Sequence, residues 1–304
     1  MNQQTIKTSV QLSGIGLHTG KYVNLILKPA PVNHGYVFVR TDLNGAVIEA
    51  DVSNVSFTTR GTVISKKNAS VSTVEHLLAA LRGNGIDNVI IDIDGPEVPI
   101  FDGSALFFVR AIEKAGRQTQ NCLRMYLEIQ EKLYFFDEKT QTELTAYPSP
   151  NFIIDVSIDF NSDILKPQSA SLKQLSHFNK EIALCRTFVF LHDVLTLLEQ
   201  GLIKGGDLDN AIVIADKPMT DSELDILSRK IGKPKIAVDK GGILNTLELH
   251  FDNEPARHKL LDVIGDLALV GNFIKGHIIA NKPGHGANVA FAKLIKQSFS
   301  RLVS

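Results

Sequence analysis

EPARHKLLDVIGDLALV, residues 254–270, has a pattern that predicts a buried helix with one polar stripe. Pro255 suits the first turn of a helix. The C-terminal two thirds are apolar except at three positions, and a helix that is apolar nearly all round is buried. His258, Asp262 and Asp266 recur at intervals of four residues and therefore lie on one face. The sequence thus predicts a buried helix that carries a histidine and two carboxylates in line.

Two buried carboxylates need a cation, because ionised groups are costly to bury unless they are paired or bound to a metal. Lys259 offers a structural salt bridge to one of them. A metal ion is the other interpretation, since His258 and Asp262 at i, i+4 can reach one ion. A further histidine from elsewhere would complete a three-ligand set with an open position, which is typical of a catalytic zinc site. We favour the metal over the salt bridge.

STVEHLLAALR, residues 72–82, predicts a second helix with an apolar stripe. Glu75 and His76 lie off that stripe, among alanines and a glycine. A solvated face normally carries charged side chains, so this small-residue face predicts that another element packs closely against it. Two structural alternatives remain open: Ser72 and Glu75 fit a capping box, and His76 fits an ordinary surface or core histidine.

Two further histidines lie in glycine-rich segments: His285 in NKPGHGAN, residues 281–288, and His18 in SGIGLHTG, residues 13–20. Glycine permits the close approach of another chain or of a ligand. A histidine in a loop is usually only solvated. His285 could instead act as an acid or base near neutral pH.

Helical and strand patterns alternate along the rest of the chain, which predicts an α+β fold. The remaining predicted elements are strands at 21–28, 87–93 and 276–280, hairpin strands within 123–136 and 142–160, helices at 104–115, 188–200 and from about 288, and a polar linker at 116–121.

A faint internal echo pairs GIDNVIIDI (85–93) with DLDNAIVIA (207–215). Chance similarity is the simpler explanation, because turns favour Asp and Asn in any protein. The chain has 304 residues, enough for two domains at about 150 residues each. Together with that length, the echo favours two similar α+β halves.

Composition excludes several classes of protein. Apolar residues make up 44% and charged residues 21%, which is ordinary for a folded protein and excludes disorder. Lys+Arg is 32 against Asp+Glu 33, so no net field favours nucleic acid or an anionic membrane. Cys122 and Cys185 are too few for a disulfide framework or a cysteine-based zinc site. With no signal peptide or apolar run of spanning length, the sequence predicts a soluble cytoplasmic protein.

An ordered set of motifs resembles the UDP-3-O-acyl-N-acetylglucosamine deacetylases, the zinc amidases that commit bacteria to lipid A synthesis. The set covers nearly the whole chain, and its combination is far more specific than any single motif. Its members are SGIGLHTG (13–20), STVEHLLAAL (72–81), DGSA (102–105), RTF (186–188), HKLLDVIGDLAL (258–269) and GHGAN (284–288).

The resemblance implies two domains, 1–120 and 121–304, each with a layered β-α-α-β sandwich topology and a small insert. The active site would lie between the two domains. His76 from the first domain would join His258 and Asp262 from the second as ligands of one Zn²⁺, and Fe²⁺ could occupy the same site.

The resemblance also implies roles for individual side chains. Glu75 would be the general base that takes a proton from a zinc-bound water. Thr187 would donate a hydrogen bond to the developing oxyanion. His285 would protonate the leaving amine, with Asp266 orienting it, and Lys259 would bind near the sugar or the phosphates. The products would be acetate and UDP-3-O-acyl-glucosamine.

The substrate's two ends are assigned by the same resemblance. The insert at about 188–214 would form an apolar passage for the acyl chain, although plain core packing explains its residues equally well. Phe160 and Lys282 match positions that contact uridine and diphosphate. The candidates for lining the passage are Phe188, Val194, Leu202 and Gly206.

The chain departs from the zinc hydrolases with an HExxH motif, because Glu75 and His76 are adjacent. Cys185 also stands where many relatives carry a small residue. Some members of the family are fused at the C-terminus to a hydroxyacyl-carrier-protein dehydratase, and we expect that fusion to be absent from this chain. We expect a monomer that binds no nucleic acid, has no transmembrane segment and contacts the membrane peripherally at most.

Two other functions fit the same residues. One is a zinc amidase that acts on another N-acetylated or acylated sugar nucleotide. The other is a catalytically silent protein that binds nucleotide sugars, although this alternative predicts the loss of Glu75, His285 or a metal ligand, all of which are present.

Overall fold

The structure of the chain is a computed structural model that describes residues 1–199, 204–206, 210–215, 219–231, 236–238, 242–244 and 248–303. The strands in this part of the chain are β1 (Asn2–Ile6), β2 (Val10–Ile15), β3 (Tyr22–Pro29), β4 (Tyr36–Arg40), β5 (Ala46–Glu49), β6 (Val55–Phe57), β7 (Val63–Lys66), β8 (Ala69–Val71), β9 (Val89–Ile93), β10 (Arg117–Leu123), β11 (Tyr126–Glu128), β12 (Leu133–Asp137), β13 (Thr142–Tyr147), β14 (Phe152–Ile158), β15 (Gln168–Leu172), β16 (Phe188–Phe190), β17 (Ile212–Ile214) and β18 (Phe273–Asn281). The helices are α1 (Glu75–Gly83), α2 (Leu106–Ala115), α3 (Phe178–Glu181), α4 (Leu191–Glu199), α5 (Asp221–Ile231), α6 (Glu254–Ala268) and α7 (His285–Val303).

Two sheets share one strand order. The first is β2-β3-β9-β4-β5, and the second follows the path β12-β13-β18-β14-β15, with β11 also paired to β18. In each, the central strand is the last in sequence and runs antiparallel to one neighbour and parallel to the other. The predicted α+β class is confirmed. The division into domains 1–120 and 121–304 stays a prediction, because one hydrophobic core contains residues from both ranges.

The internal echo pairs strands that are not equivalent. Within the first sheet, 85–93 leads into β9, whose counterpart in the second sheet is β18. The other member of the echo, 207–215, leads into β17, which pairs with β16 in a separate two-stranded sheet. The sequence similarity therefore does not follow the repeated strand order of the two sheets.

The prediction of a linker at 116–121 is wrong. Residues 117–123 form the strand β10, which pairs antiparallel with β1. Polar side chains do not prevent a strand whose backbone finds a partner and whose side chains face water. The prediction of one helix over 188–200 is also wrong at its start. The aromatic and β-branched triplet at 188–190 forms β16, and α4 follows it.

Helices from the two halves of the chain meet between the sheets. The helix α1 packs along α6, α2 packs on β2, and α6 and α7 pack on strands of the second sheet. The predicted burial of 254–270 is confirmed, since nearly every residue of α6 is buried. No helix in the described residues is both long and apolar enough to cross a membrane.

Gly265 allows α1 and α6 to approach at the level of the candidate site. A Cβ at this position would overlap the carbonyl oxygen of Glu75 and stand 2.8 Å from its carbonyl carbon. The obstacle is backbone, which cannot move aside as a flexible side chain can. The close packing predicted for the small-residue face at 72–82 involves two elements: α6 approaches the backbone of Glu75, and the ring of Phe178 from α3 lies against Gly83.

We expect Gly265→Ala to lower the free energy of unfolding by about 1–3 kcal/mol, because overpacking outweighs the gain of about 1 kcal/mol in helix propensity. Denaturant unfolding followed by circular dichroism measures the change. Gly286→Ala in α7 is the matched control, since its Cβ would meet only Thr58 Oγ1 at 3.4 Å. Equal stabilities of the two variants would contradict the close approach.

Candidate metal centre

The N-terminus of α1 places Glu75 in the site and not in a capping box. Thr73 has a positive φ of 57°, and the helix begins at Glu75 without a side-chain cap. The Glu75 carboxylate therefore accepts the backbone N–H of Thr62 at 3.0 Å and does not return to Ser72. The capping-box alternative is wrong, because the helix starts three residues later than the sequence pattern suggests.

Three side chains from α1 and α6 converge as candidate metal ligands. One ligand atom from each of His76, His258 and Asp262 lies within 4.8 Å of the others. Asp262 Oδ1 is 3.4 Å from His258 Nε2 and 3.7 Å from His76 Nε2. All three residues are buried. Within the described residues, Asp262 Oδ1 is a buried oxygen with no hydrogen-bond partner.

His258 is oriented by the chain segment that precedes β16. Its Nδ1 lies 3.0 Å from the carbonyl oxygen of Cys185, which requires a proton on Nδ1. This tautomer leaves Nε2 with a lone pair that faces Asp262. The segment is held in turn by Arg186, which makes a buried ion pair of 2.9 Å with Glu254 at the start of α6.

The electrostatics of the three residues suit a cation. Burial lowers the pKa of His76 to about 3 and lowers the pKa of His258, so both imidazoles stay neutral. Burial raises the pKa of Asp262, but the basic groups around it, Lys259 foremost, outweigh this effect and hold the pKa of Asp262 well below its usual value. Neutral histidines and an ionised carboxylate are the forms that bind metal.

Lys259 satisfies one oxygen of Asp262 and leaves the other unpaired. Its Nζ donates to Asp262 Oδ2 at 2.8 Å, so the salt bridge considered from sequence is present. That ion pair does not account for Oδ1, which faces the two histidines. The donor set of two imidazoles and an unpaired carboxylate oxygen fits a divalent zinc-type ion.

Glu75 and His285 are two titratable groups beside the candidate ligands, and both of their pKa values are raised. Burial raises the pKa of Glu75 to about 7, partly opposed by His285. For His285 burial lowers the pKa, but the carboxylates of Asp266 and Asp262 more than offset this and raise it to about 9. His285 Nδ1 lies 2.9 Å from Asp266 Oδ2, and its Nε2 lies 3.9 Å from Asp262 Oδ2. Paired shifts of this kind are typical of acid–base sites.

A cavity of about 860 Å³ opens over these groups. Of the site residues predicted from sequence, Asp266 lies behind His285, fully buried, and Leu202 lies outside the described residues. The other twelve line the cavity: Glu75, His76, Phe160, Thr187, Phe188, Val194, Gly206, His258, Lys259, Asp262, Lys282 and His285.

Aromatic side chains form one wall of the cavity. The ring of Phe160 packs edge-on against Phe188 at 5.5 Å, and Lys259 Nζ lies 5.5 Å from the Phe188 ring centre. Val194 lines the cavity and also belongs to a separate apolar cluster that includes Leu191, Val213 and Leu227. For Val194 the core-packing alternative is therefore correct, and it is compatible with a lining role.

Basic and acidic side chains both line the cavity. Lys282 Nζ lies 3.0 Å from Asp159 Oδ2. Arg60, His18 and Lys259 also line the cavity, and so do the carboxylates of Asp137 and Asp193.

Sequence reasoning missed two residues that hold the site together. Glu97 is fully buried and accepts hydrogen bonds from the His18 N–H, from Thr19 and from the Thr73 hydroxyl. It thereby ties the loop of SGIGLHTG to the residues before α1. Thr62 contacts Glu75 and Asp266. Neither residue carries a periodic or spacing signal, because its partners are distant in sequence.

We expect the two cysteines to differ in reactivity. Cys185 is fully buried and burial raises the pKa of its thiol, so little reactive thiolate forms there. Cys122 is only partly buried. Titration of the native protein with a chromogenic disulfide should therefore modify Cys122 alone, and Cys122→Ser should abolish the signal. Rapid modification of Cys185 before denaturation would contradict its burial.

Comparison with known proteins identifies the family of this chain. The sequence profile described as LpxC, UDP-3-O-acyl N-acetylglycosamine deacetylase, matches residues 3–228 and 225–297. The bifunctional enzyme LpxC/FabZ of Bacteroides thetaiotaomicron is 47% identical over 298 residues, which are 98% of this chain. The corresponding bifunctional enzyme of Porphyromonas gingivalis is also 47% identical. The chain spans about 65% of the length of each of these two relatives.

Another relative, whose name gives the deacetylase alone and not a bifunctional enzyme, matches this chain over most of its own length. The UDP-3-O-acyl-N-acetylglucosamine deacetylase of Teredinibacter turnerae is 40% identical over 292 residues, which are 95% of this chain and 88% of the relative. The profile match and this coverage lead to one conclusion. The chain belongs to the LpxC family of UDP-3-O-acyl-N-acetylglucosamine deacetylases.

Proposed function

We propose that this protein hydrolyses the N-acetyl group of UDP-3-O-acyl-N-acetylglucosamine in a zinc-dependent reaction, the committed step of lipid A biosynthesis. The products are UDP-3-O-acyl-glucosamine and acetate. The observation that carries the proposal is the unpaired Asp262 oxygen between His76 and His258, in a cavity that Glu75 and His285 also line. Family membership agrees with this reaction.

His76, His258 and Asp262 would hold the metal, with zinc as the ion we propose and Fe²⁺ as an alternative for the same ligands. A bound zinc ion polarises the amide carbonyl and makes water more acidic, which are separate contributions to the rate. The protein supplies the orientation of the ligands. The carbonyl of Cys185 fixes the tautomer of His258, and Lys259 occupies the second oxygen of Asp262.

Proton transfer is assigned to Glu75 and His285. As general base, Glu75 takes a proton from the attacking water, a role that suits a carboxylate whose pKa burial raises to about 7. His285 is the cationic general acid and gives a proton to the leaving amine from Nε2, because its Nδ1 is engaged by Asp266. Asp266 orients the ring and stabilises its charge.

The residues that line the cavity support the assignment of the substrate. Lys259 and Lys282 supply positive charge for the diphosphate, and Phe160 offers an aromatic face to the uridine. Phe188, Val194 and Gly206, which line the cavity, would form part of the acyl passage predicted at about 188–214. Leu202, the fourth residue of that prediction, lies outside the described residues. Thr187 donates a hydrogen bond to the oxyanion.

We also propose that the chain acts in the cytoplasm as a monomer with domains 1–120 and 121–304 and that it binds no nucleic acid. The repeated strand order of the two sheets supports the domain division. The balance of 32 basic against 33 acidic residues supports the absence of nucleic-acid binding.

Acetate release from UDP-3-O-acyl-N-acetylglucosamine tests the proposed reaction. We expect activity that chelation abolishes and zinc restores, together with little turnover of the same sugar nucleotide without its acyl chain. Turnover that does not depend on the acyl chain would support an amidase for a different sugar nucleotide. Nucleotide-sugar binding without acetate release from zinc-loaded protein would support a catalytically silent binder and contradict the proposal.

A further inference from the structure

Thr62 contacts both proton-handling parts of the site with different atoms. Its backbone N–H donates to Glu75 Oε2 at 3.0 Å, and its hydroxyl donates to Asp266 Oδ1 at 2.5 Å. Its carbonyl oxygen accepts the backbone N–H of Val74, the residue before α1, at 3.4 Å. Thr62 is fully buried, so water does not compete for these hydrogen bonds.

The hydroxyl of Thr62 completes the set of donors around Asp266. On the other oxygen, Asp266 Oδ2 accepts from His285 Nδ1 and from Asn288 Nδ2, each at 2.9 Å. Without the Thr62 hydroxyl, the carboxylate of Asp266 would accept hydrogen bonds through Oδ2 alone and could rotate about its Cβ–Cγ bond. The Thr62 hydroxyl fixes the plane of the carboxylate, and that plane fixes the ring of His285.

The backbone at Thr62, which contacts Glu75, is held in place by an adjacent strand. Thr62 immediately precedes β7, which pairs with β6 and β8. Its neighbour Gly61 leaves space for the carboxylate, because a Cβ there would stand 3.1 Å from Glu75 Oε1. The segment therefore holds the glutamate through main-chain atoms, which no side-chain substitution at Thr62 removes directly.

We propose that Thr62 is a positioning residue that couples the general base to the general acid. Its N–H orients Glu75, and its hydroxyl orients His285 through Asp266 and through its own 3.4 Å contact with His285 Nδ1. This inference rests on the proposed function, since it assigns no proton transfer to Thr62 and serves the two residues that carry the protons.

The test compares Thr62→Val, which keeps the shape and removes the hydroxyl, with Thr62→Ser, which keeps the hydroxyl. We expect Thr62→Val to lower kcat for acetate release about 10- to 100-fold, with KM changed less than about twofold and zinc content unchanged. Thr62→Ser should retain most of the wild-type kcat. Thr5→Val is the matched control, since Thr5 is also buried and its hydroxyl donates to the carbonyl of Asn88, outside the cavity.

A kcat of Thr62→Val near the wild-type value, or an equal loss in Thr62→Ser, would overturn the proposal. If Thr62→Val does not fold, Thr62→Ala removes the same hydroxyl and is compared with Thr62→Ser in the same way. Nuclear magnetic resonance supplies a readout that does not depend on turnover. The His285 Nδ1–H resonance of zinc-loaded protein should shift in Thr62→Val and not in Thr5→Val, and an unchanged resonance would overturn the coupling.

The two readouts separate this inference from the proposed function. Absence of acetate release from the wild-type protein would contradict the proposed function alone. The resonance of His285 would then still show whether Thr62 orients the Asp266–His285 pair.

Discussion

Replacing Glu75 by glutamine should lower acetate release about 100- to 10,000-fold, because the amide cannot accept a proton from the attacking water. The change is nearly isosteric, and the Thr62 N–H can still donate to the remaining carbonyl oxygen of the side chain. We therefore expect zinc content and substrate affinity close to those of the wild type. Steady-state kinetics with metal analysis of the same preparations measures all three quantities.

The matched control for this variant is Glu49→Gln. Glu49 lies in β5 and makes an exposed ion pair with Lys66, outside the cavity. The Glu49→Gln variant should keep wild-type activity, since exposed ion pairs contribute little to stability. Full activity of Glu75→Gln would show that Glu75 is not the general base. Loss of zinc from that variant would instead indicate that Glu75 has a structural role in the metal centre.

Asp262→Asn should remove both metal and activity. Asparagine keeps the shape but not the charge, so the zinc content should fall well below that of the wild type. Acetate release should fall by roughly 1,000-fold, because the metal's contribution of several kcal/mol is lost at about 1.4 kcal/mol for each tenfold change in rate. Metal analysis after dialysis and the acetate assay check both effects.

Two further variants distinguish the metal from a purely structural salt bridge at Asp262. Lys259→Met removes the partner of Asp262 Oδ2 and should leave zinc bound, since Oδ1 faces the histidines. Asp92→Asn breaks an aspartate–lysine ion pair with Lys28 outside the cavity and should change neither metal nor activity. Equal metal content in the wild type, Asp262→Asn and Lys259→Met would contradict the metal centre.

Much of the fold followed from local patterns. The period of α6 and the strand patterns of β3 and β9 each predicted the right element, because burial of one face imposes a period on the sequence. The same logic failed at β10, which is polar, and at the start of α1, where a positive φ at Thr73 delays the helix. Backbone pairing with a distant strand and a special backbone angle leave no periodic signal.

The site divides in a similar way. The stripe of His258, Asp262 and Asp266 could be predicted from helical spacing and the cost of burying charge. The third candidate ligand, His76, came from the resemblance of ordered motifs and not from spacing. Lys259 satisfies Asp262 Oδ2 while Oδ1 stays unpaired, a distinction between two atoms of one side chain that no sequence pattern contains.

The amino-acid sequence was enough to predict a buried helix with a polar stripe and an α+β fold, and its ordered motifs indicated a family. Three contacts became visible only in the folded chain: Gly265 brings α6 against Glu75, the carbonyl of Cys185 orients His258, and Thr62 reaches both Glu75 and Asp266. These features differ in the sequence distance over which residues interact. Helical faces depend on neighbours three and four residues apart, whereas these contacts depend on how distant segments pack.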